Sequence, residues 1–166
     1  MNIKILGAFA AIALLAGCAS QPATTGAASG AGAAAATAGP APGSEQDLVA
    51  NVGDRVFYEF NKSALTNSDR ATLDRQAAWL AKYPQVQVLI AGNCDDRGTE
   101  EYNLALGHRR ANAARDYLVA KGVSPSRIKT ISYGKSRPVA LGDNEQAWAQ
   151  NRNAITSVEG ANPQGN

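Results

Sequence analysis

The sequence predicts an α+β fold, a small sandwich of two main helices packed on a mixed sheet of about four strands. Three observations carry that expectation. Four short stretches rich in Val, Ile and aromatics follow strand periodicity, two longer ones repeat apolar residues at helical spacing, and turn residues separate the two kinds. With 166 residues, 45% of them apolar, the chain has material for one ordinary core rather than two.

Each element has a local reason. "RVFYEF", Arg55 to Phe60, alternates as a strand. In "LTNSDRATLDRQAAWLAKYP" the period changes: Thr66 or Asn67 caps a helix, Leu73, Ala77 and Leu80 share one stripe, and Pro84 ends it. "VQVLIAG" returns to strand. The second helix begins near Thr99, whose hydroxyl accepts an orphan amide hydrogen bond, with Glu100 and Glu101 complementing the positive end of the dipole. It runs to about Ala120 and leaves through Lys121-Gly122. "RIKTISYG" is a third strand. "DNEQAWAQ" is a short helix with Asp143 as cap and Gln146 in the reciprocal capping-box position, and "RNAITSV" is the last strand.

The first segment, "MNIKILGAFAAIALLAGCAS", has Lys4, an apolar run from Ile5 to Leu15 too short to span a bilayer, and then small residues. It reads as a secretory signal over residues 1–17. "LAGC" resembles the lipobox of bacterial lipoproteins, which implies cleavage before Cys18 and its lipidation. From Gln21 to Gly43 no residue is charged, aromatic or a large aliphatic. Such a stretch cannot bury enough apolar area to offset ordering, so residues 18–43 are expected to be a tether spanning about 25 Å as a coil. All 14 acidic residues lie at or beyond Glu45, which sets the folded domain at 44–160 and leaves 161–166 as a disordered tail.

Charge and composition exclude several classes. Without Lys4 the 16 Lys and Arg become 15 against 14 acidic residues, a balance that lacks the cationic footprint nucleic acid demands. His108 is the sole histidine, and Cys94 would be the sole thiol beside a lipidated Cys18, so neither metal nor cofactor is implied. Adjacent Asp95 and Asp96 on an extended segment point to opposite sides and make no catalytic dyad, and no serine stands in a nucleophile motif. A non-enzyme is the expectation. Tyr102 and Tyr117 are expected to pack under the second helix, and Trp148 to pack in the core or at a rim.

"AGNCDDRGTEEYN", Ala91 to Asn103, places Cys94, Asp95, Asp96 and Arg97 where a strand stops and a helix begins. On a helical projection Asn103, Gly107, Arg110 and Ala114 share one sector, with Arg110 at the margin of the buried face and small neighbours beside its guanidinium. An Arg grips a carboxylate bidentately and an Asp at a strand end receives an ammonium, so Asp95 and Arg110 suit a zwitterionic amino-acid group. The same residues admit a structural reading in which Asp95 and Asp96 cap the turn and Arg110 pairs with one of them. Spacing does not choose between the two.

"VFYEFNKSAL", the run from "AGNCDDRGTEEYN" through "LGHRRANAARDYLVAKGVSPSRIKTISYGKSRPVALG", and "EQAWAQNRNA" closely resemble the OmpA-like C-terminal domain family over about Val56 to Val158. The resemblance implies noncovalent binding of the diaminopimelate-containing stem peptide of peptidoglycan, with Asp95 and Arg110 as ligand residues. It further implies pocket-supporting roles for Asn61, Asn93, Asn103 and Arg152. With acylated Cys18 in the outer membrane and the globular domain facing the periplasm, it implies an anchor of membrane to wall and partnership with TolB and other Tol proteins in envelope constriction. Asn93 stands where many members carry His, Asn61 where many carry Asp, and Asn153 where many carry a second Arg. These departures leave open a protein-binding adaptor with a weakened wall site. A lipid-anchored wall hydrolase would need site chemistry that the sequence does not display.

Overall fold

Residues 39–160 are described by a computed structural model; the expected signal segment 1–17, Cys18 with the tether up to residue 38, and the tail 161–166 lie outside the described residues. Ser44 caps a short helix α1 (Glu45–Asp47), and the chain continues through one π-helical turn at Leu48–Val52, neither of them anticipated from the sequence. Strand β1 (Arg55–Phe57) ends three residues short of the expected Phe60. The chain leaves the sheet there, although the Tyr58 amide still donates to the Arg152 carbonyl at 2.8 Å.

Helix α2 (Asn67–Lys82) is capped by Thr66, which settles the choice against Asn67: Thr66 Oγ1 accepts from the Asp69 amide while the Asp69 carboxylate accepts from the Thr66 amide at 2.9 Å. The other Asp69 oxygen accepts from the Phe57 amide at 3.0 Å and so ties the helix start to β1. Strand β2 (Val88–Asn93) leads into α3 (Glu100–Ala120), whose cap is Thr99 as expected. Strand β3 (Ile128–Gly134), helix α4 (Glu145–Asn151) and strand β4 (Asn153–Val158) complete the fold. The α4 cap is Asn144 rather than Asp143, with Asn144 Oδ1 accepting from the Ala147 amide at 3.0 Å. Among the described residues no helix is long and apolar enough to cross a membrane.

The four strands run in the order β1-β4-β2-β3. β2 and β3 are parallel, as a crossover through α3 requires, and β4 is antiparallel to both its neighbours, so the sheet is mixed and the fold α+β. Alternation assigns the faces. Val88 and Ile90 turn toward the helices and, with Leu73, Leu80 and Leu118, are fully buried, while Phe57 and Ile131 stay partly exposed. Full burial of each such side chain contributes roughly 1.5–3 kcal/mol.

Two devices place the functional region at the β2–α3 junction. Gly92 on β2 faces Gly107 on α3 so closely that a Cβ at either position would lie within 3.0 Å of the other glycine's carbonyl oxygen, which glycine alone permits. The β2–β3 register also shifts after Gly92, with Asn93 opposite Gly134, so the strand end is re-aimed as it enters the loop.

Candidate binding site

A cleft of about 160 Å³ opens at that junction, lined by Asn61, Asp95 and Arg97 from loops and by Asn103, Leu106 and Arg110 from α3, with Phe60 and Tyr102 among its other walls. Arg110 is its foundation. The helical projection put this residue at the margin of the buried face; the structure buries it completely, because the two glycines draw α3 down onto the sheet. Its Nε donates to the Lys62 carbonyl at 2.9 Å, Nη1 to Asn93 at 2.8 Å and Nη2 to Glu59 at 3.1 Å. That is why the chain leaves the sheet after Phe57: residues 59–62 turn their carbonyls to the guanidinium. Asn61 takes φ 58° in this turn, a left-handed conformation that Asn tolerates better than most residues. Burial draws the Arg110 pKa below its ordinary value, against the pull of neighbouring Cys94, Tyr58 and Asp95. Of five guanidinium N–H groups three donate to these carbonyls.

Asp95 also lines the cleft and is buried. Its Oδ2 accepts from Arg97 Nη2 at 2.5 Å and from Arg152 Nη1 at 3.3 Å, and its Oδ1 accepts from the Arg97 amide at 3.3 Å. Burial pushes its carboxyl pKa up, but the hydrogen bonds from Arg97 and Arg152 outweigh it and the value ends below the ordinary one. The structural pairing entertained from sequence is therefore replaced by another: the partners of Asp95 are Arg97 and Arg152, not Arg110.

The candidate residues divide. Asp95, Arg110, Asn61 and Asn103 come together in the cleft. Asn103 is buried, and its amide donates to the carbonyls of Arg97 at 2.8 Å and Thr99 at 3.1 Å, which pins the loop to α3. Asn61 Oδ1 accepts from the Tyr102 hydroxyl across the mouth. Arg152 supports from behind: its Nε donates to the Tyr58 carbonyl and its Nη2 to Glu145. The Asn93 side chain departs from expectation. It lines a different cleft with Tyr133, Arg137 and Ile155, and only its carbonyl reaches Arg110. There its Nδ2 donates to Asn153 Oδ1 at 2.8 Å, so two of the three departures from the family pattern are one buried contact.

Three participants were not foreseen. Tyr102, expected under the helix, is 44% exposed at the cleft mouth. Phe60 faces it, and Arg97 lies between the rings of Phe60 and Trp148, 4.0 Å from each centroid, which makes Trp148 a rim residue. The signal for Arg97 stood in the sequence: an Asp followed two residues later by an amide it can accept from is an Asx-turn. Cys94 is buried, its thiol donating to the Asn103 carbonyl at 3.4 Å, and burial pushes its pKa up. Among the described residues no group of three or more His, Cys, Asp or Glu is placed to hold a metal ion. Cys18 lies outside the described residues.

The OmpA family matches residues 57–152. A peptidoglycan-associated lipoprotein of Rhizobium meliloti is 53% identical over 147 residues, 89% of this chain and 82% of that one. Another, from Mesorhizobium japonicum, is 50% identical over 161 residues, 95% of this chain and 92% of that one. The crystal structure of the peptidoglycan-associated lipoprotein from Burkholderia pseudomallei superposes with a TM-score of 0.62 at 42% identity, covering 64% of this chain and 90% of that one.

Proposed function

The chain belongs to the OmpA family, with the peptidoglycan-associated lipoproteins as its relatives, and from that premise we propose that its cleft binds the diaminopimelate-containing stem peptide of peptidoglycan. The observation that carries the reading is the placement of Asp95 and Arg110 in the lining of one cleft, a carboxylate for the ammonium and a guanidinium for the carboxylate of an amino-acid head. The site binds without cleaving. Two guanidinium groups hold Asp95 as an anion, which suits it to a cation and not to proton transfer near neutrality.

Lipidation of Cys18 after removal of residues 1–17, a tether to residue 43 and a binding domain over 44–160 complete the proposal: an outer-membrane anchor to the wall, with the domain facing the periplasm. A single contact can be weak, since many tethered domains engage one polymer at once. The family relationship supports partnership with TolB and the Tol system, and a part in envelope integrity and constriction.

Calorimetric titration with the tripeptide L-Ala-γ-D-Glu-meso-diaminopimelate tests the binding reading. Wild type binds, and folded Asp95→Asn and Arg110→Lys variants each bind at least about tenfold more weakly, the equivalent of about 1.4 kcal/mol. Equal binding by wild type and both variants rejects the site.

A further inference from the structure

The carboxylate of Asp95 is already occupied. Its two guanidinium partners are held in very different ways. Arg152 is locked, its side chain 7% exposed and its other two guanidinium nitrogens donating to the Tyr58 carbonyl at 3.0 Å and to Glu145 at 2.5 Å. Arg97 has a side chain 32% exposed, and among the described residues Nη2 is the only atom of its guanidinium that hydrogen-bonds, to Asp95 at 2.5 Å. Its Nε is buried with no partner among the described residues, and the rings of Phe60 and Trp148 hold the group.

The loop does not depend on that side chain. Asn103 Nδ2 donates to the Arg97 carbonyl at 2.8 Å, and Lys135 Nζ donates to the carbonyls of Asp96 at 3.2 Å and Gly98 at 2.6 Å. Side chains from α3 and from the turn after β3 thus anchor the backbone, and the Arg97 guanidinium can leave while the loop stays. A second resting place lies close by, with Glu145 Oε2 3.9 Å from Arg97 Nη2.

We propose that Arg97 is a resident, displaceable cation: in the ligand-free protein its guanidinium holds the place on Asp95 that the ligand's ammonium takes, and binding exchanges one cation for the other. The inference rests on the reading of the cleft as an amino-acid-head site. It also sharpens the specificity of that site. A neutral or purely anionic group leaves the Asp95–Arg97 pair intact, whereas a primary ammonium beside a carboxylate satisfies Asp95 and Arg110 together and releases Arg97 toward Glu145. Arg152 remains in both states, so Asp95 never loses its buried counter-charge.

The test uses the full chain in detergent micelles and the tripeptide named above, beside the same peptide acetylated on the free amine of diaminopimelate. Arg97→Gln is expected to bind the tripeptide about tenfold more tightly than wild type, because the competitor is gone, and the acetylated peptide is expected to bind neither protein. A side chain that merely gripped the ligand would give the opposite sign. Tripeptide binding by wild type with Arg97→Gln equal or weaker overturns the exchange and leaves the cleft assignment standing. Absence of binding by both proteins overturns the two readings together. A second measurement needs no variant: the Arg97 Nε–H resonance of the wild type should move toward that of free arginine as the tripeptide saturates the site, and a resonance unmoved at saturation overturns the exchange.

Discussion

Gly92→Ala tests whether the approach of two glycines builds the cleft. A Cβ at residue 92 would lie 1.9 Å from the Gly107 carbonyl oxygen and 3.1 Å from the Ala111 amide nitrogen, both backbone atoms that no rotamer change can move. Ordinary contact begins at 3.4 Å, so α3 must retreat by the difference between 3.4 and 1.9, about 1.5 Å. Arg110 lies one turn further along α3, and the same retreat takes its 2.8 Å bond to the Asn93 carbonyl to about 4 Å, past hydrogen-bond reach. Overpacking costs about 1–3 kcal/mol and a hydrogen bond from a charged group about 1.5–3 kcal/mol, against a gain of about 0.5–1 kcal/mol for replacing glycine in a strand. The net loss is about 3 kcal/mol, or roughly 10–15 °C in Tm for a domain of this size. Differential scanning calorimetry should show that drop, and tripeptide affinity should fall with it. Gly107→Ala is the milder companion: its nearest clash is the mobile Ser132 Oγ at 2.3 Å, with the Gly92 oxygen next at 2.8 Å, and alanine gains about 1 kcal/mol inside a helix. A Gly92→Ala melt within about 3 °C of wild type refutes the argument, as does Gly107→Ala proving the worse of the two.

Two further outcomes follow from the same geometry. Asn153→Ala removes the buried acceptor for Asn93 Nδ2 and the part-buried donor to the Gln150 carbonyl, and should cost about 1–3 kcal/mol in urea denaturation while tripeptide affinity stays within about twofold, since both side chains lie off the cleft; a tenfold loss of affinity at unchanged stability contradicts this. Asp95 titrates below its unfolded value of about 3.9, so the folded state binds fewer protons there, and the contribution of Asp95 is whole above that pH and lost as pH falls through the folded value. Urea midpoints between about pH 6 and pH 2.5 should therefore decline more for wild type than for Asp95→Asn, a difference that removes the parallel effects of Asp47, Glu59 and Asp74, whose values are also lowered. Equal declines exclude Asp95 as a source of acid sensitivity.

Much of this architecture was legible because its causes are local. Thr66, Thr99 and the apolar stripe of α2 announce themselves within a few residues, and the period-two stretches mark all four strands. The misreadings have non-local causes. β1 stops at Phe57 because Arg110, about fifty residues away, draws the carbonyls of Glu59 and Lys62 to itself, and no alternation in "RVFYEF" records that demand. Arg110 projects to the margin of α3, yet it is fully buried because Gly107 meets Gly92, a contact between elements that a single-helix projection cannot contain. Asp143 and Asn144 are both competent caps, and only the path of the chain selects the second. Asn93 supports Arg110 through its carbonyl alone, because alternation at the end of β2 sends its side chain to the other face, where its Nδ2 donates to Asn153 Oδ1.

How the charges are held decides what each can contribute. Arg110 spends three donors on backbone carbonyls, and that expenditure makes a buried guanidinium tolerable at all, because desolvation would otherwise be uncompensated. A group so anchored cannot follow a ligand. Its fixed position selects geometry. Arg152 is anchored in the same manner and keeps Asp95 ionised. Adjustment at the site falls to Arg97, whose guanidinium has one hydrogen-bonded atom, two aromatic faces and a second carboxylate within reach. A rigid acceptor and donor beside one loosely held cation leave no orphaned charge at Asp95 in the empty cleft.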